Sequence, residues 1–173
     1  MKALDDQTLT LLGGALTQAA ADALLELQAH NLQRMCNKLT DLPHHQSLYV
    51  LKQSFRSPRF NYLLRVSPCF KSTKLRLLDD ILRATTESLL NIQLYDDKWL
   101  QALSTGQTGG LGIQSANQLS VPAFASSAVG CESSVLSLLE QQAASNSLFN
   151  ETCAIWSSRS GQLDTPTSTL QKE

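Results

Sequence analysis

From Gln18 to Leu39 the chain runs without a single Gly or Pro, and Leu25, Leu32, Cys36 and Leu39 recur at helix spacing, with Ala29 in the gap. A stripe of this kind gives a long helix one apolar face and obliges the rest of the fold to cover it. Thr17 stands where its hydroxyl can accept from an unpaired first-turn N–H. A long one-sided helix is hard to fit into an all-β sandwich and points to helix packed on helix.

The segments that follow agree with that reading. Asp41-Leu42-Pro43 breaks the first helix, and residues 44–55 form a second, shorter one with Leu48, Leu51 and Phe55 at spacings of three and four. Ser57-Pro58 places a cap before Pro at the first helical position, which predicts a third helix from Arg59 to Val66. Ser67-Pro68 ends it, because the residue before Pro is pushed out of the helical region. The clearest later helix covers residues 73–92, with Leu75, Leu78, Leu82 and Leu89 on one side and Ile81 and Ile92 beside them. Asp96 or Asp97 starts a fifth, carrying Trp99 and Leu103. Residues 104–115 hold four Gly within positions 106–112 and read as a loop that uses backbone conformations open to Gly. Residues 115–129 and 132–144 are weaker helical segments, and from Ser157 onward the polar, Ser/Thr-rich sequence predicts disorder. At the other end, residues 8–16 read as a short strand and then a turn at Gly13-Gly14. The expected fold is mainly α: an irregular bundle of about five to seven helices with a short N-terminal strand and a disordered C-terminal tail.

Composition narrows the class. Of 173 residues, 42% are hydrophobic and 17% charged, and no apolar run approaches the length of a membrane span. The expectation is an intracellular chain with no secretory signal. Its four cysteines, Cys36, Cys69, Cys131 and Cys153, form no CxxC or Cys/His cluster, so they read as reduced thiols and no metal site is expected. The net charge of −1 hides an uneven distribution. Residues 52–83 carry eight bases (Lys52, Arg56, Arg59, Arg65, Lys71, Lys74, Arg76, Arg83) against Asp79 and Asp80, a net of +6. Residues 84–173 carry a net of −5. A basic segment can bind a phosphate backbone by releasing counterions, or it can be a solvated face whose bases pair with acids elsewhere.

Other motifs read as structural. An Asp-Asp pair on a hairpin between apolar strands can hold two Mg²⁺ ions, but Tyr95-Asp96-Asp97 runs into a helix pattern and Leu78-Asp79-Asp80 lies within one. Helix capping is the reading for Asp96 and Asp97, and solvent exposure for Asp79 and Asp80. Gly109-Gly110-Leu111-Gly112 fits neither GxxxxGK[ST] nor GxGxxG after a strand, and reads as a tight turn. His44-His45 beside Pro43 read as a helix start. No GxSxG surrounds any Ser, and no nucleophile–base set is visible.

The order of motifs is more specific than any one of them. Leu11-Leu12-Gly13-Gly14-Ala15-Leu16 is followed by a long helix, then Arg59-Phe60-Asn61-Tyr62-Leu63-Leu64-Arg65-Val66-Ser67-Pro68 and Leu77-Leu78-Asp79-Asp80-Ile81-Leu82-Arg83. Asp96-Asp97-Lys98-Trp99-Leu100-Gln101-Ala102, Gly109-Gly110-Leu111-Gly112-Ile113-Gln114-Ser115-Ala116 and Pro122-Ala123-Phe124-Ala125-Ser126-Ser127 complete the series. Over residues 8–128 this order resembles the region downstream of the palm, the thumb and linker, in reverse transcriptases of non-LTR (LINE-type) retrotransposons.

The resemblance implies a division of the chain. Residues 1–16 resemble the end of the palm, with Leu12, Gly13 and Gly14 resembling the primer grip, although Ala15-Leu16 stands where the family often has Pro. Residues 17–103 resemble the helical thumb, residues 104–156 the Gly-rich loop and weaker helices of the linker, and residues 157–173 form the tail. It further implies that the catalytic palm and its carboxylates are absent, so no polymerase activity and no cofactor are expected. What remains is at most weak, nonspecific contact with RNA or RNA–DNA duplex through Arg56, Arg59, Arg65, Lys71, Lys74 and Arg76. A missing palm also implies exposed apolar surface and self-association. The alternative is a small helical structural or interaction protein with a basic partner-docking face.

Overall fold

The computed structural model describes residues 9–55, 58–138 and 147–160. Among them are a two-stranded antiparallel hairpin, β1 (Thr10–Leu11) and β2 (Gly14–Ala15), and seven α-helices: α1 (Gln18–Leu39), α2 (His44–Phe55), α3 (Pro58–Val66), α4 (Leu75–Leu90), α5 (Asp96–Leu103), α6 (Ala116–Leu138) and α7 (Ser147–Ser160). The mainly α expectation holds.

α1 begins and ends where its sequence says. Thr17 Oγ1 accepts from the Ala20 N–H at 3.2 Å, and Leu25, Ala29, Leu32, Cys36 and Leu39 are buried. α4 repays its apolar stripe in the same way, burying Leu75, Leu78, Leu82, Thr86 and Leu89, and Asn91 in the left-handed conformation closes it. Residue 92 lies beyond that cap, so Ile92 is exposed instead of joining the stripe. α4 packs against α1, α2 and α6, while α3 and α7 each lean on α6. A single apolar core results, running from Ala15 through Leu25, Leu51, Leu64 and Leu82 to Ile113 and Ala116, with Trp99 and Leu103 packed against it. Each fully buried leucine contributes about 1.5–3 kcal/mol over an exposed one.

Buried hydroxyls stitch the turns. Ser47, within α2, donates to the Leu39 carbonyl at the end of α1 at 2.7 Å. Ser67 accepts from the Ala15 N–H at 2.8 Å and so ties β2 to the end of α3. A 3₁₀ turn at Cys69–Lys71 leads into α4, and Phe70 meets Phe124 of α6 with ring centroids 5.2 Å apart.

The expected strand and turn form a hairpin with strands of two residues each. Other expectations are corrected. The two weak helical segments at 115–129 and 132–144 are one helix through residue 138, with Pro122 and Gly130 inside it. The packing of α6 against α3, α4 and α7 outweighs the poor local propensity of both residues. The helix α7 carries regular structure to Ser160, past the expected boundary at Ser157. Asp79 is not a solvated carboxylate but the cap of α6, as described below. Residues 161–173 lie outside the described residues, as does the Ser57 cap expected before α3.

Candidate nucleic-acid interface

The basic residues of the middle segment do not share one face. Lys71 pairs with Glu151 of α7 at 2.6 Å and lies 5.9 Å from the centre of the Phe70 ring. Lys74 pairs with Glu26 of α1 at 2.7 Å, and this carboxylate partner raises the lysine's pKa above its ordinary value. Arg83 reaches Asp96 at the start of α5 at 2.8 Å and also donates to the Leu94 carbonyl, with Glu87 3.7 Å away. Three bases of the +6 segment are therefore turned toward three different elements. Arg65 in the last turn of α3 and Arg76 in the first turn of α4 are exposed and make no ion pair among the described residues. Arg56 lies outside the described residues, and so does the side chain of Arg59. Lys52 sits half-buried on α2 beside the Gly-rich loop, its Nζ 3.6 Å from where a Cβ on Gly112 would stand.

Arg83 and Glu87 form a clasp over the α4–α5 connection. While Arg83 holds the Leu94 carbonyl, Glu87 Oε1 accepts from the Leu94 N–H at 2.8 Å, so both polar groups of one loop residue are satisfied by one turn of α4. Asp96 and Asp97 occupy the first turn of α5, whose capping position is Tyr95. They favour the helix through its dipole and are not its cap.

Asp79 performs the capping expected of its neighbours. Its carboxylate accepts from the Ala116 N–H at 2.7 Å, the Asn117 N–H at 3.3 Å and the Ser115 hydroxyl at 2.7 Å. Ser115 Oγ in turn accepts from the Gln118 N–H at 3.2 Å. The first three orphan donors of α6 are thereby satisfied by one carboxylate from α4 and one local hydroxyl. Burial pushes the Asp79 pKa above the ordinary carboxylate range and outweighs the three donors that pull it down. Periodicity could not reveal this role, because the partner helix begins more than thirty residues away.

The Gly-rich loop is a turn that closes on α5. Leu111 and Ile113 donate to the Ala102 carbonyl at 3.0 and 3.4 Å, Gly112 to Ser104 at 2.8 Å and Gly110 to Thr105 at 2.9 Å. These N–H groups are spent on the end of the preceding helix, which leaves no cradle of free amides for a phosphate. Gly110 is required by close approach, since a Cβ there would stand 2.0 Å from the Ser104 carbonyl oxygen.

The primer-grip-like residues form the hairpin turn. Leu12 at φ 51° and Gly13 at φ 83° give it two left-handed central residues, the type I′ arrangement that matches strand twist. Leucine carries a steric cost in that conformation. The Tyr62 hydroxyl donates to the Leu12 carbonyl at 2.9 Å, and Gly14 packs so closely that a Cβ would lie 2.7 Å from Val66 Cγ2. The hairpin is anchored to α3, yet Leu12 is 87% exposed and Leu11, Leu16, Tyr62 and Val66 are also open to solvent.

All four cysteines are free thiols; burial pushes Cys36 and Cys153 up, and burial aided by the Asp22 charge pushes Cys69 up to about 12. Among the described residues no three potential metal ligands cluster, and no helix is long and apolar enough to cross a membrane.

Sequence counting by segment passed over one group of bases. His30, Arg34 and Lys38 of α1 are all exposed and follow one another at four-residue intervals. Their signal was the spacing together with the absence of any acid between Leu27 and Thr40. The fold defines the class as a small helical module. Compared with known proteins, the chain matches no family model, no curated protein and no solved structure.

Proposed function

We propose that the chain is a non-catalytic piece of a non-LTR retrotransposon reverse transcriptase, retaining weak, sequence-independent contact with RNA or RNA–DNA duplex. The order of its motifs supports the family, and Arg65 and Arg76, exposed and without an ion pair among the described residues, are the observation that supports the contact. Both acidic pairs have members committed to structural tasks, Asp79 on α6 and Asp96 on Arg83. Filter binding of a labelled RNA–DNA duplex across a salt series tests the reading. Expected is a dissociation constant on the order of 10⁻⁴–10⁻⁶ M at physiological salt, weakening steeply as salt rises. Affinity that is absent at low salt, or indifferent to salt, counts against it. Primer extension by the purified chain is expected to be nil, and robust extension would overturn the non-catalytic assignment.

A second reading is favoured by the exposed leucines of the hairpin. Here the chain is a structural or interaction protein that docks a partner through a basic face. It requires a cooperative thermal transition together with no affinity for nucleic acid.

A further inference from the structure

We infer that the hairpin tip is a knob for an anionic lipid surface: Leu11, Leu12 and Leu16, with Tyr62 and Val66 of α3, enter its interfacial layer while Arg65 meets the headgroups. This inference goes beyond the nucleic-acid reading and does not rest on it.

Three observations carry it. First, the apolar side chains are contiguous and stand out from the fold. Leu12 at the turn is 87% exposed, and Leu11 and Leu16 are 61% and 58% exposed. Strand alternation puts Leu11 and Leu16 on the hairpin face of Gly14, and Gly14 lies against Val66. The half-open Tyr62 ring reaches the turn through its hydroxyl. A type I′ turn is cheapest with Asn or Gly at this position, so a leucine there carries a steric cost that the turn itself does not require.

Second, the backbone of the knob spends its polar groups internally. The Leu12 carbonyl accepts from Tyr62 at 2.9 Å, the Ala15 N–H donates to Ser67 Oγ at 2.8 Å, and the Leu16 N–H donates to the Leu9 carbonyl at 3.1 Å. Leu11 pairs with Gly14 across the turn. Backbone groups satisfied in this way leave water at low cost.

Third, the charge around the knob has one sign. No acid stands between Asp6 and Asp22, and none between Asp41 and Asp79, where the chain carries seven bases. Of these, Lys71 and Lys74 are held by Glu151 and Glu26. Arg65 follows Tyr62 by three residues and adjoins Val66; it is exposed and forms no ion pair among the described residues. The first acid of α1, Asp22, is half-buried and accepts from the Gln18 amide at 3.1 Å.

A convex apolar tip in a field of one sign fits a fluid anionic surface, which needs no matching pocket and no particular hydrogen bonds. Apolar insertion and basic attraction are each weak alone and together give reversible anchoring. A tyrosine ring suits the same depth. A second copy fits less well, because a two-fold contact through this face sets Arg65 near its own counterpart.

The test is cosedimentation of the full chain with vesicles of phosphatidylcholine, alone or with about one part in three of phosphatidylserine, at low salt. Retention is expected on the anionic vesicles and not on the neutral ones. Leu11→Ser/Leu12→Asn is expected to lose at least about tenfold in partitioning, and Arg65→Ala about fivefold. Leu100→Ser, at an exposed leucine of α5, should change it less than about twofold. Circular dichroism checks that each variant folds. A readout that needs no variant is nuclear magnetic resonance with spin-labelled lipid, which should broaden the Leu11 and Leu12 methyl signals and spare Leu100.

Absence of retention on anionic vesicles, equal retention on neutral ones, or full retention of the leucine variant overturns the assignment. Broadening at Leu100 as strong as at Leu12 also overturns it. A dimer that Leu12→Asn dissolves, without vesicle retention, gives the knob to a second copy instead. Duplex affinity should be unchanged in the leucine variant, so vesicle binding and duplex binding stand or fall separately.

Discussion

The hairpin at residues 10–15 and the junction between α4 and α6 face the same task in opposite ways. Each must hold a chain connection against a helix. At the junction every first-turn donor of α6 finds an acceptor, and the apolar residues nearby, Leu78, Leu82 and Ala116, are buried. At the hairpin a leucine takes a left-handed conformation, and Leu11, Leu12 and the adjoining Leu16 face water. Stability is thus concentrated where residues distant in sequence share polar groups. The hairpin instead carries a local cost and an apolar surface that its own fold does not use.

That contrast can be broken from the strong side first. Leu82 is fully buried, and Leu82→Ala is expected to cost about 3–4 kcal/mol in denaturant unfolding. Asp79→Ala strands two backbone donors and a hydroxyl and should cost about 2–3 kcal/mol, with Asp79→Asn costing less because its carbonyl still accepts. A loss under half a kcal/mol for Asp79→Ala would remove the capping role. Arg83→Ala opens the clasp over Leu94 and should cost about 1 kcal/mol, most of it from the lost carbonyl contact and little from the ion pair with the exposed Asp96. Faster amide exchange at Leu94 is the specific sign, and unchanged exchange there would contradict the clasp.

On the weak side the sign reverses. Leu12→Asn creates Asn-Gly at a type I′ turn and is expected to stabilise by about 0.5–1 kcal/mol while reducing self-association seen by sedimentation. Destabilisation would show that Leu12 packs in solution. The smallest effect concerns pH. Because burial raises the Asp79 pKa in the folded state, its contribution is greatest below the ordinary carboxylate pKa and is lost as pH rises through the folded value. The stability of the natural chain should therefore fall relative to Asp79→Asn as pH is raised from about 3 to about 6. The opposite slope would mean that the three donors outweigh burial.

What the sequence made legible follows from the range of each cause. The bounds of α1, α2 and α5 rest on the Thr17 cap, Pro43, the acidic first turn of α5 and nearby periodicity, and these act within a few residues. α6 was split in reading because Gly130 and Pro122 lower local propensity, while the packing that sustains the helix comes from α3, α4 and α7. The ends of the charged side chains were illegible for the same reason. Nothing near Lys71 or Lys74 in sequence announces Glu151 or Glu26, so a net of +6 overstated the free charge. Along α1, by contrast, His30, Arg34 and Lys38 form no ion pair among the described residues, yet counting them with the acids of residues 1–51 concealed their spacing.

The cap supplied by Asp79 also sets an order of events. The N–H groups of Ala116 and Asn117 donate to a carboxylate of α4, so the first turn of α6 is completed only when α4 has turned that carboxylate toward it. During refolding, protection of these two amides in pulsed hydrogen exchange is expected to trail that of α4 and never to precede it. A chain cut within residues 104–114 would leave, on its first piece, one of the two groups that cap the first helix of the second.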